Sequence, residues 1–179
     1  MQDLSQFKLP KNFRGRNAIW VQIWWVVQSM LFGTSLQFMY GWRRFLLRLF
    51  GAEIGKNVII RPSVKVTYPW KLSVGDNSWI GDDVVLYTLG TIKIGKNSVV
   101  SQRSYLCTGS HDYSQITFPI FEKSIKIEDE VWIATDVYIG PGVEICSGSV
   151  VGARSSVFKN IEKKGVYVGS PVRYVKTRD

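Results

Sequence analysis

From Ile54 onward a branched aliphatic residue returns at every sixth position, and this regularity narrows the folds open to the chain more than any other feature. The sites are Ile54, Ile60 and Val66, then Val74, Ile80 and Leu86, then Ile94, Val100 and Leu106. After a gap come Ile127, Ile133, Ile139, Ile145, Val151 and Val157. For the last six alone, agreement at one fixed phase arises by chance on the order of once in several thousand, so the repeat is real. A second track lies four residues after most sites: Val58, Val64, Ser78, Val84, Ser98, Ser104, Ser110, Val131, Val137, Val143, Ser149 and Ser155. Glycine follows the aliphatic site at Gly55, Gly75, Gly81, Gly95, Gly140 and Gly152.

A period of six matches neither a helix nor an alternating strand. It suits one flat side of a triangular coil, where a short strand ends in a tight turn. The aliphatic residue points inward, the small or β-branched one fills the corner, and Gly or Asn permits the turn. Three hexads close one coil, and coils stacked at ~4.8 Å supply each other's backbone hydrogen bonds. The spacing runs six, six, eight, twice over, which puts a two-residue insertion at one corner of each early coil. The fifteen sites therefore make about five coils. Between Leu106 and Ile127 one step of six becomes twenty-one, so a loop leaves the coil there. It contains His111, the single histidine of the 179 residues.

The N-terminal third reads differently. Residues 1–17 are polar and basic, Asn17 to Trp42 is free of charge, and Arg43, Arg44 and Arg48 follow. Apolar residues recur at helical spacing, which predicts helices over 18–32 and 40–50 with a break near Gly33. Polar interruptions keep the stretch below the ~18 consecutive apolar residues of a membrane span, and no small-x-small site marks a cleaved leader. Two uses remain open: a cap packed on the main domain, or an interfacial anchor with Trp20, Trp24, Trp25 and Trp42 at lipid headgroups. The organisation expected is a helical or membrane-proximal segment 1–53, a β-helix 54–161 with its loop at 111–126, and a basic tail 162–179.

Composition limits the chemistry. One histidine excludes a three-His zinc site, and Cys107 and Cys146 form neither a disulfide framework nor a metal spacing. Both cysteines sit one residue after an inward aliphatic site with no base beside them, which reads as core filling rather than a nucleophile. A reduced, cytoplasmic protein without a metal is expected. The net charge of +9 calls for an anionic partner. Seven of the 23 basic residues precede Ile54 and six follow Phe158, flanking the repeats rather than forming a nucleic-acid module. No nucleic-acid partner is expected.

The pattern resembles the hexapeptide-repeat acyltransferases with a left-handed parallel β-helix. Several strings are similar to the colanic-acid-type exopolysaccharide O-acetyltransferases: Gly41-Trp42-Arg43-Arg44-Phe45-Leu46-Leu47-Arg48-Leu49-Phe50-Gly51, Val66-Thr67-Tyr68-Pro69-Trp70-Lys71, and Leu106-Cys107-Thr108-Gly109-Ser110-His111-Asp112-Tyr113. The ending Val168-Gly169-Ser170-Pro171-Val172-Arg173 resembles the Gly-Asn-Pro-Ala-Arg close of many such enzymes. The likeness spans residues 7 to 178. It implies an all-β, left-handed parallel β-helix with an N-terminal helical segment and a short C-terminal tail. It implies acetyl transfer from acetyl-CoA to a sugar hydroxyl, for which a base near neutrality is needed.

His111 would be that base, with Nε2 toward the acceptor and Nδ1 held by a carbonyl or a carboxylate. Asp112 is its neighbour in sequence. Resemblance places the pantetheine arm of coenzyme A in a groove between two β-helices, bordered by Trp132, Ala134, Ala153, Arg154 and Lys159. Arg173 belongs to the basic C-terminal set suited to the phosphates. Many relatives carry Trp-Ile-Gly where this chain reads Trp132-Ile133-Ala134-Thr135. For the acceptor, Asp82, Asp83 and Tyr87 are expected one turn before His111. Tyr105, Tyr113, Phe118 and Phe121 offer stacking faces. With that groove made by two copies, the resemblance implies a homotrimer. The acceptor would be a sugar or lipid-linked glycan, handled in the cytoplasm or at the cytoplasmic face of the inner membrane, which the N-terminal helices would touch. The alternatives are a small acceptor such as serine or a free sugar, and a non-enzymatic β-helix scaffold.

Overall fold

A computed structural model describes residues 2–178. The hexads wind into a parallel β-solenoid with three flat faces. The first face stacks Glu53–Ile54, Leu72–Val74, Ile92–Ile94, Ile125–Ile127 and Glu144–Ile145. The second stacks Ile59–Ile60, Trp79–Ile80, Val99–Val100, Trp132–Ile133, Val150–Val151 and Val166–Val168. The third stacks Lys65–Val66, Val85–Tyr87, Tyr105–Cys107, Tyr138–Ile139 and Ser156–Val157. All fifteen aliphatic sites are buried, from Ile54 to Val157. The coil runs to about six turns rather than five. Ile161 bridges to Ile145, and Val166–Val168 adds a rung to the second face before Arg173–Lys176 folds back antiparallel upon it. The sixth turn thus takes residues that the sequence reading assigns to the tail.

The corner serines explain the second track. Ser78 Oγ donates to the Gly95 carbonyl and accepts from Ser98 N–H; Ser98 and Ser104 repeat the arrangement one turn on. Each hydroxyl ties one turn to the next where a buried polar group would otherwise go unpaired. Ser110 breaks the track: it is exposed, and Thr108 takes the inward place because the chain leaves the coil after it.

Asn and Gly have separate jobs at the corners. Asn57, Asn77 and Asn97 occupy the left-handed region, with φ of 54°, 59° and 55°, which asparagine tolerates better than most residues. Gly75 is needed for closeness instead: a Cβ there would lie 2.6 Å from the Lys96 amide nitrogen of the next turn.

The coil's lower end gives one side of the helices a use. Along every face, an N–H donates upward to a carbonyl of the following turn, as Ile59 does to Ser78 and Trp79 to Ser98. The first turn has no partner below it, so its downward-facing carbonyls and the Val66 N–H, which donates to Gln28 Oε1, are met by other elements. Helices α1 (Ala18–Val27, continued by a π-helical turn over Gln28–Phe32) and α2 (Tyr40–Leu49) close this end with donors. Trp24 Nε1 reaches the Val66 carbonyl, Arg44 the Val58 carbonyl, and Arg48 those of Ile54 and Gly55. Arg43, fully buried, donates to the carbonyls of Ile60, Leu36 and Gln37 and to Ser35 Oγ. The break at Gly33 falls where expected. The three arginines that follow the charge-free stretch are bound to the coil.

Candidate active site

Three corners join the faces, and the insertions collect at the third, where the third face returns to the first. There the chain extends from Thr108 to Ser124 as an antiparallel hairpin, Gly109–His111 with Ile120–Glu122, rather than a plain loop. His111 pairs with Ile120 at its outer end and is half-buried.

Two contacts from one residue fix the imidazole. Nδ1 lies 2.9 Å from the Phe118 carbonyl oxygen, and the Phe118 ring stacks on the imidazole with centroids 4.3 Å apart and planes 7° apart. A carbonyl oxygen only accepts, so Nδ1 carries the proton and Nε2 keeps its lone pair. Phe118 holds φ at +46°, an unfavourable conformation for a bulky side chain, kept where the contact to His111 is made. Of the two holders the sequence allows, the carbonyl is the one used. Asp112 turns away: its carboxylate accepts from Ser114 N–H, Ser114 Oγ and Gln115 Nε2, which lower its pKa.

A third contact comes from far away in sequence. The Asp3 N–H donates to the Ile116 carbonyl at 2.7 Å, and the Phe7 ring lies 5.9 Å from the imidazole. Further along, Trp70 Nε1 donates to the Arg14 carbonyl, and the Lys71 ammonium donates to the carbonyls of Phe13 and Leu89. Residues 3–14 thus lie along the third corner as an arm from the hairpin tip down to Lys71. Burial pushes the Lys71 pKa down, against the pull of Glu122. Nothing in the sequence marked Phe7 or the Phe118 carbonyl; both depend on contacts that periodicity does not encode.

The other expected site residues divide by corner. Tyr87 ends the strand just below the hairpin, and its carbonyl accepts from Thr108 N–H and Oγ1. Tyr113 is at the hairpin tip and 86% exposed. Lys159 is exposed at the same third corner, higher in the stack. Asp82 and Asp83 do not lie below His111. Leu86 pairs with Leu106, so the residues one turn below the hairpin are Thr88 to Thr91, while both aspartates stand at the second corner, across the third face. Asp82 is engaged with Arg61 at 2.9 Å and with Ser63, and Asp83 is a turn residue at φ +57°.

Trp132, Ala134, Ala153 and Arg154 gather at that second corner. Trp132 stands out from the second face, 48% exposed, with Nε1 donating to Ser101 Oγ. Ala134 is buried in the turn, while Ala153 and Arg154 are exposed. Arg154 approaches Asp136 at 3.5 Å, a solvent-screened pair that leaves the guanidinium available. Arg173 is exposed on the terminal strand beside the second face. One chain therefore keeps His111 and this group on opposite edges of the third face.

Between the edges runs an aromatic ladder, Tyr87, Tyr105, Tyr138 and Phe158, with successive centroids 6.0, 6.2 and 5.7 Å apart. Tyr105 and Tyr138 have pKa values pushed up to about 12, chiefly by burial. Cys107 is buried against the Gly109 carbonyl, and Cys146 lies near Ser149 Oγ. Of the stacking faces expected, Phe118 is committed to His111 and Phe121 lies under Lys123. Among the described residues, no three His, Cys, Asp or Glu side chains come together as a metal site.

A triangular solenoid with one histidine on a hairpin at its corner is the architecture of the hexapeptide-repeat proteins. The family model for bacterial transferase hexapeptide repeats matches residues 124–159. A protein of Escherichia coli (strain K12), provisionally named colanic acid biosynthesis acetyltransferase WcaF, is 60% identical over 178 residues, covering 99% of this chain and 98% of that one. Among solved structures, a maltose O-acetyltransferase from Clostridium difficile 630 superposes with a TM-score of 0.82 at 27% identity, covering 91% of this chain and 90% of its own. The hexapeptide-repeat acetyltransferase VCA0836 of Vibrio cholerae, complexed with acetyl coenzyme A, gives 0.82 at 26% identity and 92% of each chain. The chain belongs to the hexapeptide-repeat acetyltransferases, in the group of the colanic acid biosynthesis acetyltransferases.

Proposed function

We propose that the protein transfers an acetyl group from acetyl-CoA to a sugar hydroxyl during exopolysaccharide synthesis, with His111 as the general base. The observation that carries this reading is the Phe118 carbonyl on Nδ1, which leaves Nε2 as a free, oriented acceptor. Nε2 takes the hydroxyl proton as the sugar oxygen bonds to the thioester carbonyl carbon. The tetrahedral intermediate then collapses, the carbon–sulfur bond breaks, and the proton passes from Nε2 to the leaving thiolate. Phe118 and Phe7 keep the ring in place, so little motion is needed at the moment of reaction.

The donor is assigned to Trp132, Ala134, Ala153 and Arg154, with Lys159 and Arg173 toward the phosphates. An indole wall, two small residues and cations match the slender, amide-bearing pantetheine arm and the anionic phosphates at its far end. Tyr87 and Tyr113 border the acceptor. Because His111 and the Trp132 group occupy opposite edges of the third face, the complete site needs two copies. A cyclic trimer that turns the third faces inward sets the third corner of one copy against the second corner of the next. Asp82 and Asp83 then approach the acceptor only as residues of the neighbouring copy. Acetyl-CoA as donor places the reaction in the cytoplasm, and the relative's name points to a glycan acceptor, free or lipid-linked.

The test is a screen of lipid-linked and free glycans with acetyl-CoA, read by mass spectrometry. An acetyl ester on a glycan, absent with His111→Ala, is the expected result. Equal acetylation by parent and variant would reject His111 as the base, and transfer only to serine or another non-sugar hydroxyl would reject the acceptor class.

A further inference from the structure

The helices that close the coil use one side for it and leave the other bare. Val21 and Trp24 of α1 are buried, whereas Ile19, Ile23, Val26 and Met30 recur at helical spacing on the side away from the coil and are exposed. Leu31, Leu36 and Phe38 from the connection, and Phe45 and Leu49 of α2, extend the bare surface. Isolated exposed apolar residues are ordinary, but so many within one short segment mark a binding surface.

Charge indicates what covers it. From Leu4 to Ala52 there is no Asp or Glu, while Lys8, Lys11, Arg14, Arg16, Arg43, Arg44 and Arg48 all fall there. The last three are spent on carbonyls of the coil. Lys8, Lys11 and Arg16 remain exposed just before α1. An apolar helix face, the amphipathic rings of Trp25 and Trp42, and flanks of one positive sign complement a bilayer interface bearing anionic headgroups. No helix among the described residues is long and apolar enough to cross a membrane. The surface also lies at the end of the coil, so using it leaves the three flat faces open to other copies.

We propose that the face of α1 and α2 turned away from the coil docks the protein on an anionic phospholipid surface, lying in the interface without crossing it. Docking needs nothing from the chemistry at the third corner. Only its consequence, a lipid-linked rather than a free acceptor, rests on the acetyl-transfer reading.

The experiment is flotation of the full chain with vesicles of phosphatidylcholine alone or with added phosphatidylglycerol, alongside acetyl transfer to a soluble acceptor and measurement of oligomeric mass. The parent should float with the anionic vesicles only. Ile23→Glu with Val26→Glu, both at exposed positions, should weaken that binding by roughly tenfold or more. Arg16→Gln, beside α1 and outside the arm, should weaken it by about fivefold and lessen its salt sensitivity. Oligomeric mass and soluble transfer should stay at the parental level in both. A parent that does not float overturns the proposal, as does a glutamate variant that floats equally well. A fall in oligomeric mass in the glutamate variant assigns the face to a second copy instead. Loss of soluble transfer in an otherwise floating parent would count against the transfer reading alone.

Discussion

An imidazole serves as a base when one nitrogen is tied down and the other is aimed. At His111 the tie is a neutral carbonyl, with Phe118 supplying both that oxygen and a stacking ring. Removing the imidazole while leaving the hairpin should lower the rate of acetyl transfer by about 10²- to 10⁴-fold, the usual share of a general base. Coenzyme A affinity, read by calorimetry for His111→Ala, should change little, because the residues assigned to the pantetheine arm and the phosphates do not include His111. The half-buried tyrosines Tyr105 and Tyr138 make a second residue-scale prediction. Their pKa values stand above the unfolded value of about 10, so the folded state binds more protons in that range. Stability from this source is full below pH 10 and falls as pH rises through 12. A spectrophotometric titration should show late-ionising phenols, and Tyr105→Phe should remove one of them. His111 was legible as the outlier of the repeat, since the phase gap isolates it. Its supports were not, because Phe7 and Phe118 reach it by folding rather than by spacing.

The elements show why the cap is rich in arginine. The lowest turn of a coil has no neighbour beneath it, so its downward-facing carbonyls need donors from elsewhere. Arg43→Ala would strip donors from the carbonyls of Ile60, Leu36 and Gln37 at a fully buried site. The expected loss is about 3 kcal/mol or more in denaturant unfolding, with Arg43→Lys recovering only part of it. At the first corner, Glu130 holds φ at +60°, in the turn position filled lower down by Asn57, Asn77 and Asn97. Glu130→Asn relieves that conformation and should stabilise the fold by roughly 0.5–1 kcal/mol, seen as a rise in Tm. The coil was readable because every turn must put an apolar side chain inward at the same phase. The partners of the arginines were not legible, because the acceptors they need are backbone atoms, which no side-chain pattern reveals. The sixth turn was missed for a related reason: Ile161 and Val166 follow the last regular step without keeping its phase.

For the whole molecule, the telling fact is a separation. The third face holds His111 at one edge and Arg154 with Ala153 at the other, so a single chain is half of the proposed site twice over. The expectation that Asp82 and Asp83 lie below His111 failed at this scale, since counting back along the chain crossed a corner. Sedimentation should give a trimer if the two edges meet. Complementation tests the meeting itself. Chains carrying His111→Ala would be co-expressed with chains carrying Ala153→Trp and Arg154→Glu, each inactive alone. If each site takes its base from one copy and its groove from the next, random mixing restores about a quarter of the parental transfer rate. Mixed trimers no more active than either variant would contradict the shared site.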